Sequence, residues 1–335
     1  DRLEVEGEYL RNLDPYGHPV MVSAAWNYSE PPLNDIVNSA PSIQGLGLPT
    51  ELVETHSETG KWWQRSAALG REWSVFSVLQ GPPEVGVRPD SAYSGQPDNR
   101  VLVRRRVLYG NLMAGGSGVQ LHFGDIDDQK LEDYRSRERI WAELAVAQDF
   151  FGQIPDLERF QPDDSLVLGG NAWCLADPGR DYLVYSLDGS SVTLDLRDTS
   201  GYDVFWYDPR QGGNLIPGTP VGQVQGPAAV YLGIPPSAVD QDWMIWLRGT
   251  GLVGVGSAGE DGGIRVYHDA KGGLLHVYWP GRAGKSRSLE LYSMDGQRIG
   301  QMGGCFGRRC SFGRISEQRI RAEKEWISGC SWLLC

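Results

Sequence analysis

Aromatic and polar side chains follow four short apolar runs of the chain, and their chemistry suits a sugar. An indole ring can stack on the face of a sugar, while amides, imidazoles and carboxylates can hydrogen-bond its hydroxyls. The set consists of Trp26 and Asn27 after the first run, Gln44 after the second, Gln80 after the third, and His122 and Asp125 at the fourth. Together they predict a carbohydrate-binding site, if the fold brings the ends of the runs together.

The four apolar runs are predicted strands, at residues 18–25, 41–46, 73–79 and 119–123. Apolar residues at helical spacing precede the fourth run, and residues 131–151 form the best-marked helix, with an acidic first turn. Strands that alternate with helices predict a parallel sheet, and functional groups gather at the carboxyl ends of its strands. Four βα units could form a small open α/β domain or the second half of an eight-unit barrel.

The sequence changes character after residue 160 and becomes a series of short strand-like runs. These lie at residues 166–169, 182–187, 191–196, 202–207 and 243–247, separated by turn signals such as Asp188-Gly189 and Asp208-Pro209. The pattern predicts an antiparallel β-sandwich. The tryptophans Trp206 and Trp243 are predicted core residues of this sandwich.

Residues 249–263 are rich in glycine and are predicted to be a flexible linker. Gly254 to Gly259 formally match a dinucleotide fingerprint, which we discard because no helix follows. Residues 264–301 contain four strand-like runs with hairpin signals at residues 271–273 and 295–296. The pattern is predicted to stop there, so that residues 302–335 form an unassigned tail.

Composition excludes some classes of function. The net charge of -12 argues against a nucleic-acid partner, and no apolar run is long enough to predict a membrane span. Four of the five cysteines lie in the last part of the chain, at spacings that favour neither zinc nor disulfides, and we expect no metal or cofactor. The chain starts at Asp1 without a start methionine, which indicates a mature product or a fragment.

Six short segments carry a resemblance to a known family. They are residues 13–20 (LDPYGHPV), 112–119 (LMAGGSGV) and 132–137 (EDYRSR), followed by residues 182–185 (YLVY), 206–210 (WYDPR) and 242–243 (DW). In this order they resemble secreted glycoside hydrolases in which a TIM barrel precedes a sandwich known as the collagen-binding domain of a collagenase. Residues 264–301 resemble the start of a type IX secretion sorting domain.

The resemblance implies an α/β then all-β chain. The implied parts are the C-terminal half of a (β/α)8 TIM barrel at residues 1–152, an antiparallel β-sandwich at 157–248, a linker at 249–263, a partial sorting domain at 264–301 and a tail at 302–335. The strand that ends near Leu79 would be the seventh of the barrel, and the one that ends near Phe123 the eighth. We expect a secreted or cell-surface protein whose partners are a carbohydrate substrate and extracellular matrix or polysaccharide.

The activity that the resemblance implies is glycoside hydrolysis by a pair of carboxylates. The acid/base would follow the fourth barrel strand, which this chain lacks, and the nucleophile would follow the seventh, where residues 77–82 read SVLQGP without a carboxylate. Glu84 lies nearby but would need a shifted loop, and it joins Asp125 as a catalytic candidate. We therefore expect a hydrolase fragment that is inactive alone, or a non-catalytic carbohydrate- or matrix-binding module. A sandwich that only packs against the barrel is a third interpretation.

Several of these residues also have a structural interpretation. His18 stands at a strand start and is predicted to be structural, whereas His122 could equally be a core residue. Residues 125–128 resemble a calcium loop, although a loop that leads into a helix is favoured. The adjacent Trp62 and Trp63 are predicted to pack inside the fold rather than to form a sugar platform.

Overall fold

The computed structural model describes residues 2–26, 28–82, 85–123, 134–218 and 221–250, and five strands between Arg265 and Phe312. The chain divides into two compact units, Asp1–Arg248 and Gly249–Cys335. Asn27, Glu84 and Asp125 lie outside the described residues, and so do the calcium-loop alternative at 125–128 and the fingerprint at 254–259.

The first unit begins with a four-stranded parallel sheet. Its strands are β1 (Val20–Ser23), β2 (Ile43–Thr50), β3 (Ser74–Gln80) and β4 (Gly118–Val119), and their order in the sheet is their order in the chain. Parallel neighbouring strands are joined by right-handed crossovers. Since all of these crossovers run in the same direction across the sheet, the connecting helices lie on the same face of the sheet.

Helices connect the strands and cover that face. They are α1 (Arg2–Leu13), α2 (Glu30–Ser39), α3 (Thr55–Ala68), α4 (Ser91–Ser94), α5 (Arg100–Leu102), a π-helix (Val103–Leu108), α6 (Tyr109–Met113), a 3-10 turn (Tyr134–Arg137) and α7 (Glu138–Phe151). Prolines in its first turn suit the start of α2, and Gly70, in the left-handed region with φ of 68°, follows the end of α3. Between the helices and the sheet lies a core that includes Ile36, Leu46 and the fully buried Trp62.

The carboxyl ends of β2 and β4 differ most from the prediction. β2 continues past Leu46 to Thr50, since Gly47 to Thr50 stay paired with β3, with a register shift between Leu48 and Pro49. β4 ends at Val119, although the apolar run predicted a strand to Phe123. The reason is that the backbone after Val119 bonds partly to the side chain of Gln80 instead of to a neighbouring strand.

Residues 161–249 form two sheets that pack on a common core, and we call this part the sandwich. Strands within each sheet form antiparallel pairs. The larger sheet has the order β11 (Ile216–Pro217), β10 (Gly201–Tyr207), β14 (Trp243–Gly249), β8 (Asp181–Ser186), β7 (Ala172–Asp177) and β5 (Gln161–Pro162), with β12 (Gln223–Gln225) also paired to β10. The smaller sheet has the order β13 (Ala228–Tyr231), β9 (Thr193–Leu196) and β6 (Val167–Gly169). All five predicted sandwich runs contain a strand, whereas β5, β7, β11, β12 and β13 were not predicted.

The larger sheet is buried on both of its faces. Tyr182, Trp206 and Trp243 lie in the core between the two sheets, as predicted for the two tryptophans. The opposite face contributes Tyr185 and Trp246 to a second core, shared with residues of α6 and α7 such as Tyr109 and Phe150. The rings of Tyr109 and Tyr185 stack with their centroids 4.5 Å apart. The α/β part and the sandwich therefore share one apolar core.

The second unit contains two groups of strands. β15 (Arg265–Asp269) and β16 (Leu274–Tyr278) form an antiparallel pair that β19 (Cys310–Phe312) extends, and β17 (Ser286–Tyr292) pairs with β18 (Arg298–Cys305). These pairs agree with the two hairpin signals. The prediction that the strand pattern stops at residue 301 is wrong, because β18 reaches Cys305 and β19 follows it.

Candidate functional site

A cavity of about 280 Å³ opens at the carboxyl ends of β1 and β2, the edge where parallel α/β folds bind their ligands. It is lined by Trp26, Tyr28, Glu30, Pro49, Thr50, Glu51, Glu54, Glu58 and Lys61. Of the predicted site residues, Trp26 lines this cavity. We call it the Trp26 cavity.

Tyr28 is held in the wall of the Trp26 cavity by two hydrogen bonds. Its hydroxyl donates to Glu58 Oε2 at 2.5 Å and accepts from Trp62 Nε1 at 3.3 Å. Burial, together with the bond to Glu58, raises the pKa of Tyr28 well above its ordinary value. The phenol is therefore neutral at physiological pH, and its position is set by the buried Trp62, which packs inside the fold as predicted.

Two carboxylates of the cavity are already neutralised by cations from α3. Lys61 Nζ lies 2.9 Å from Glu30 Oε1 and also contacts Glu58, while Arg65 Nη2 lies 3.1 Å from Glu30 Oε2. The hydrogen bonds from Lys61 and Arg65 lower the pKa of Glu30. These groups build the wall of the cavity.

The carboxylates of Glu51 and Glu54 are available to a ligand. Both side chains are exposed, and neither carboxylate has a hydrogen-bond or ion-pair partner among the residues that the structure describes. Glu51 follows the last residue of β2 directly, so it occupies the position at which a sheet of this kind presents functional groups. The prediction ended the second strand at Leu46 and therefore did not place Glu51 at the end of a strand. The apolar residues Leu48 and Pro49 were the signal that the strand continues.

Gln80, predicted to bind a sugar, is used within the fold. It is the last residue of β3 and only 1% exposed. Its Nε2 donates to the carbonyl oxygen of Gln120 at 2.9 Å, and its Oε1 accepts from the backbone N–H of His122 at 2.8 Å. The amide thus ties β3 to the segment after β4, and the last residue of β3 carries an amide instead of a carboxylate.

The other predicted residues lie apart from the Trp26 cavity. Gln44 is the second residue of β2 and is exposed at the amino end of the strand, so its predicted place at the carboxyl end is wrong. His122 is half-buried, and its carbonyl oxygen accepts from Val87 N–H at 2.7 Å. His18 lies before β1 at the amino end, where its Nδ1 is 2.9 Å from Asp14 Oδ2.

A buried ion network fastens the sandwich to the α/β part. Arg104 of the π-helix bonds both carboxylate oxygens of Asp242, through Nε at 3.0 Å and Nη2 at 2.7 Å, and its Nη1 lies 2.7 Å from Glu143 Oε1. Arg105 Nε and the hydroxyl of Tyr185 also donate to Asp242, at 2.9 and 2.6 Å. Asp242 belonged to the family-like segments, but its pairing with Arg104 was not predicted.

The two acids of this network respond to burial in opposite ways. Burial alone would raise the pKa of Asp242, but the hydrogen bonds from Arg104 and Tyr185 hold it below its ordinary value. Burial raises the pKa of Glu143 despite the nearby Arg104 and Arg100. The network is structural, since its charges are buried under the shared core and lie away from the Trp26 cavity.

The arrangement in the Trp26 cavity suits binding of hydroxyls. An indole, a neutral phenol and two available carboxylates can stack on a sugar and accept its hydrogen bonds. Within the described residues, no group of three or more His, Cys, Asp or Glu side chains is placed to hold a metal ion. None of the helices in the described ranges has the length and apolar character of a membrane span.

Comparison with known proteins gives one family match and several structural likenesses, two of which are described here. Residues 161–248, from β5 into β14, match the family described as "Putative collagen-binding domain of a collagenase", which confirms the resemblance predicted for the sandwich. A solved glycoside hydrolase matches with a TM-score of 0.47 and 15% identity, over 64% of this chain and 54% of the other. A family 5 glycoside hydrolase from Bacteroides vulgatus matches with a TM-score of 0.49 and 14% identity, over 72% and 58%. No curated protein sequence matches the chain.

Proposed function

We propose that residues 1–152 are the last four units of a glycoside-hydrolase-type βα barrel, and that their carboxyl edge binds a neutral carbohydrate without hydrolysing it. Four parallel strands in chain order support the barrel, because doubly wound sheets reverse their order. The sandwich would be the attached second domain, in a protein that acts outside the cell.

The observation that carries the proposal is the amide of Gln80 at the end of β3. This is the position of the implied nucleophile, and both polar ends of the amide are bonded to backbone. An amide can neither attack an anomeric carbon nor transfer a proton. Glu51 and Glu54 both follow β2, whereas the implied acid/base and nucleophile follow two different strands, so we assign these two carboxylates, with Trp26, to binding.

Calorimetric titration with neutral hexasaccharides tests the proposal. The panel contains cellohexaose, laminarihexaose, mannohexaose and xylohexaose. We expect at least one to bind, and Trp26→Ala to weaken its binding roughly fivefold to tenfold, because stacking on an aromatic ring contributes about 1 kcal/mol. Chromatography of the same mixtures should show uncut hexasaccharide.

The matched control is Tyr16→Ala, which removes another exposed aromatic ring, between α1 and β1. This variant should bind like the wild type. Release of shorter sugars by the purified chain, or equal loss of binding in both variants, would refute the proposal.

A second candidate function is attachment to matrix protein through the sandwich, which the family match of residues 161–248 favours. The larger sheet is buried under α6 and α7, so the available surface is the outer face of the smaller sheet. On that face a row of paired residues crosses all three strands, from Tyr231, 46% exposed, through Thr193 to Gly169, and Leu168 beside Gly169 is 58% exposed.

Retention on immobilised collagen tests this second function. The full chain should be retained, and Tyr231→Ala should elute earlier because it removes the exposed ring from that row. Tyr16→Ala is again the control. If the wild-type chain passes through unretained, the sandwich has no such role.

A further inference from the structure

A second and larger cavity, of about 710 Å³, runs along α3 on its side toward the sandwich. One wall is a face of α3, and the other is formed by residues 162–165, between the end of β5 and the start of β6. Its lining residues are His56, Ser57, Gly60, Lys61, Gln64, Arg65, Ala68, Ala114, Pro162, Asp163, Asp164 and Ser165. We call it the α3 groove. It shares Lys61 with the Trp26 cavity and is otherwise separate from it.

The charged groups of the α3 groove are compensated within the chain. Lys61 and Arg65 pair with Glu30, as described above. Asp164 Oδ2 lies 2.7 Å from Nε2 of His56, whose ring stacks on Trp173 with centroids 4.1 Å apart. A charged ligand would have to compete with these bonds, so the groove favours an uncharged one.

The remaining polar groups in the groove are the carboxylate of Asp163, the amide of Gln64 and the hydroxyls of Ser57 and Ser165, above a floor of small side chains. Asp163 Oδ1 accepts from Ser165 Oγ at 2.5 Å and from its backbone N–H at 3.2 Å, and Oδ2 lies 3.8 Å from Arg197 Nη1. The charge of Asp163 is therefore paired as well, while lone pairs of its carboxylate remain to accept a bond. Gln64 is exposed, and its amide has no partner among the described residues. Ala68, Ala114 and Pro162 are the small apolar lining. Hydrogen-bond donors and acceptors whose charges are already paired, beside an apolar floor, match the two sides of a sugar ring.

Gly60 gives the groove its depth. It lies in the middle of α3, where glycine is unfavourable compared with alanine. Packing does not require a glycine there, because a Cβ at this position would meet its nearest neighbour, the Cβ of Ala114, at 3.9 Å. The missing side chain instead leaves open space between α3 and Ala114.

We propose that the α3 groove is a second binding site, for a neutral oligosaccharide that lies between α3 and residues 162–165. The choice of ligand rests in part on the proposed function of the Trp26 cavity, since both sites then hold neutral sugars. The groove and that cavity lie on either side of Lys61.

Titration of the full chain with the same four hexasaccharides tests the groove, with Trp26→Ala present to weaken binding at the other cavity. At least one hexasaccharide should still bind. Adding Gly60→Gln should lower its affinity roughly tenfold or more, because the new side chain fills the space that the sugar needs. Adding Leu69→Gln, a matched change to the same residue type at an exposed position just after α3, should leave the affinity unchanged, since Leu69 lines neither cavity.

A second blocking variant is Ala68→Gln, which places a larger side chain in the same groove from an exposed position at the end of α3. It tests the groove independently in case Gly60→Gln does not fold. It should also weaken binding, while circular dichroism of each variant matches the wild type. Absence of any binding in Trp26→Ala, or binding that ignores both blocking variants, would overturn the proposal. If the groove variants abolish binding while Trp26→Ala has no effect, the groove stands and the Trp26 cavity falls.

Discussion

The carboxamide of Gln80 joins two stretches of backbone at the carboxyl end of β3. Its amide nitrogen donates to the carbonyl oxygen of Gln120, and its amide oxygen accepts from the backbone N–H of His122. The side chain is almost completely buried. A carboxylate at this position would place an oxygen 2.9 Å from the carbonyl oxygen of Gln120. The residue at the position that the family resemblance assigns to the nucleophile is therefore used to hold β3 to the segment after β4.

We expect Gln80→Glu to lower the free energy of unfolding by about 3 kcal/mol at neutral pH, because it buries a charge that faces an acceptor. The loss should shrink as the pH falls, since a protonated carboxyl can donate to Gln120. Urea unfolding at several pH values measures both effects. Gln44→Glu, an exposed change on β2, is the control and should shift stability by no more than about 0.5 kcal/mol.

The π-helix places two consecutive arginines on one acid. Its wider turn is closed by the backbone N–H of Tyr109, which donates to the carbonyl oxygen of Arg104. Arg104 and Arg105 both reach Asp242 from this segment, and residues 104 and 242 are far apart in the chain. The helix itself was predictable from its apolar spacing, whereas its partner on the sandwich was not, because local sequence carries no signal for such a distant pair.

The carboxylate of Asp242 in the buried ion network predicts a loss of stability at low pH. Because the pKa of Asp242 is lowered in the native state, its contribution is present above the unfolded value of about 3.9 and is lost as the pH falls through the native value. Asp242→Asn should cost about 3 kcal/mol at neutral pH and less in acid, because the variant leaves Arg104 buried without its full partner. Denaturant unfolding as a function of pH provides the measurement.

Glu143 should show the opposite slope. Its raised native pKa means that the native state keeps the proton longer than the unfolded chain, so stability falls as the pH rises above the unfolded value of about 4.3. Glu143→Gln should remove this decline while the acid-side loss from Asp242 persists. A variant that keeps the wild-type slope would show that Glu143 does not titrate in this range.

At the scale of the whole molecule, the shared core decides which surfaces can meet a partner. The larger sheet of the sandwich packs on α6 and α7, so one face of it is closed to ligands. The carboxyl edge of the parallel sheet, the α3 groove and the outer face of the smaller sheet remain accessible. A sandwich cut from the rest of unit Asp1–Arg248 would expose the apolar face that carries Trp246.

The alternation of strands and helices predicted four parallel strands, and the series of short strand-like runs predicted the sandwich after them. Both patterns could be read from the sequence because they are local. The site was predicted less completely. Trp26 was found because it follows an apolar run directly, whereas Glu51 was missed because the predicted second strand ended at Leu46 instead of at Thr50. Tyr28, Glu58 and Lys61 join the Trp26 cavity only through the packing of α3 on the sheet, which no local pattern encodes.

The most direct test of the central claim is a crystal structure of the chain with the hexasaccharide that binds it best. The account predicts an intact sugar with one ring stacked on Trp26 and hydroxyls bonded to Glu51 or Glu54. A sugar that is cleaved, or one that binds elsewhere while the Trp26 cavity stays empty, would contradict it.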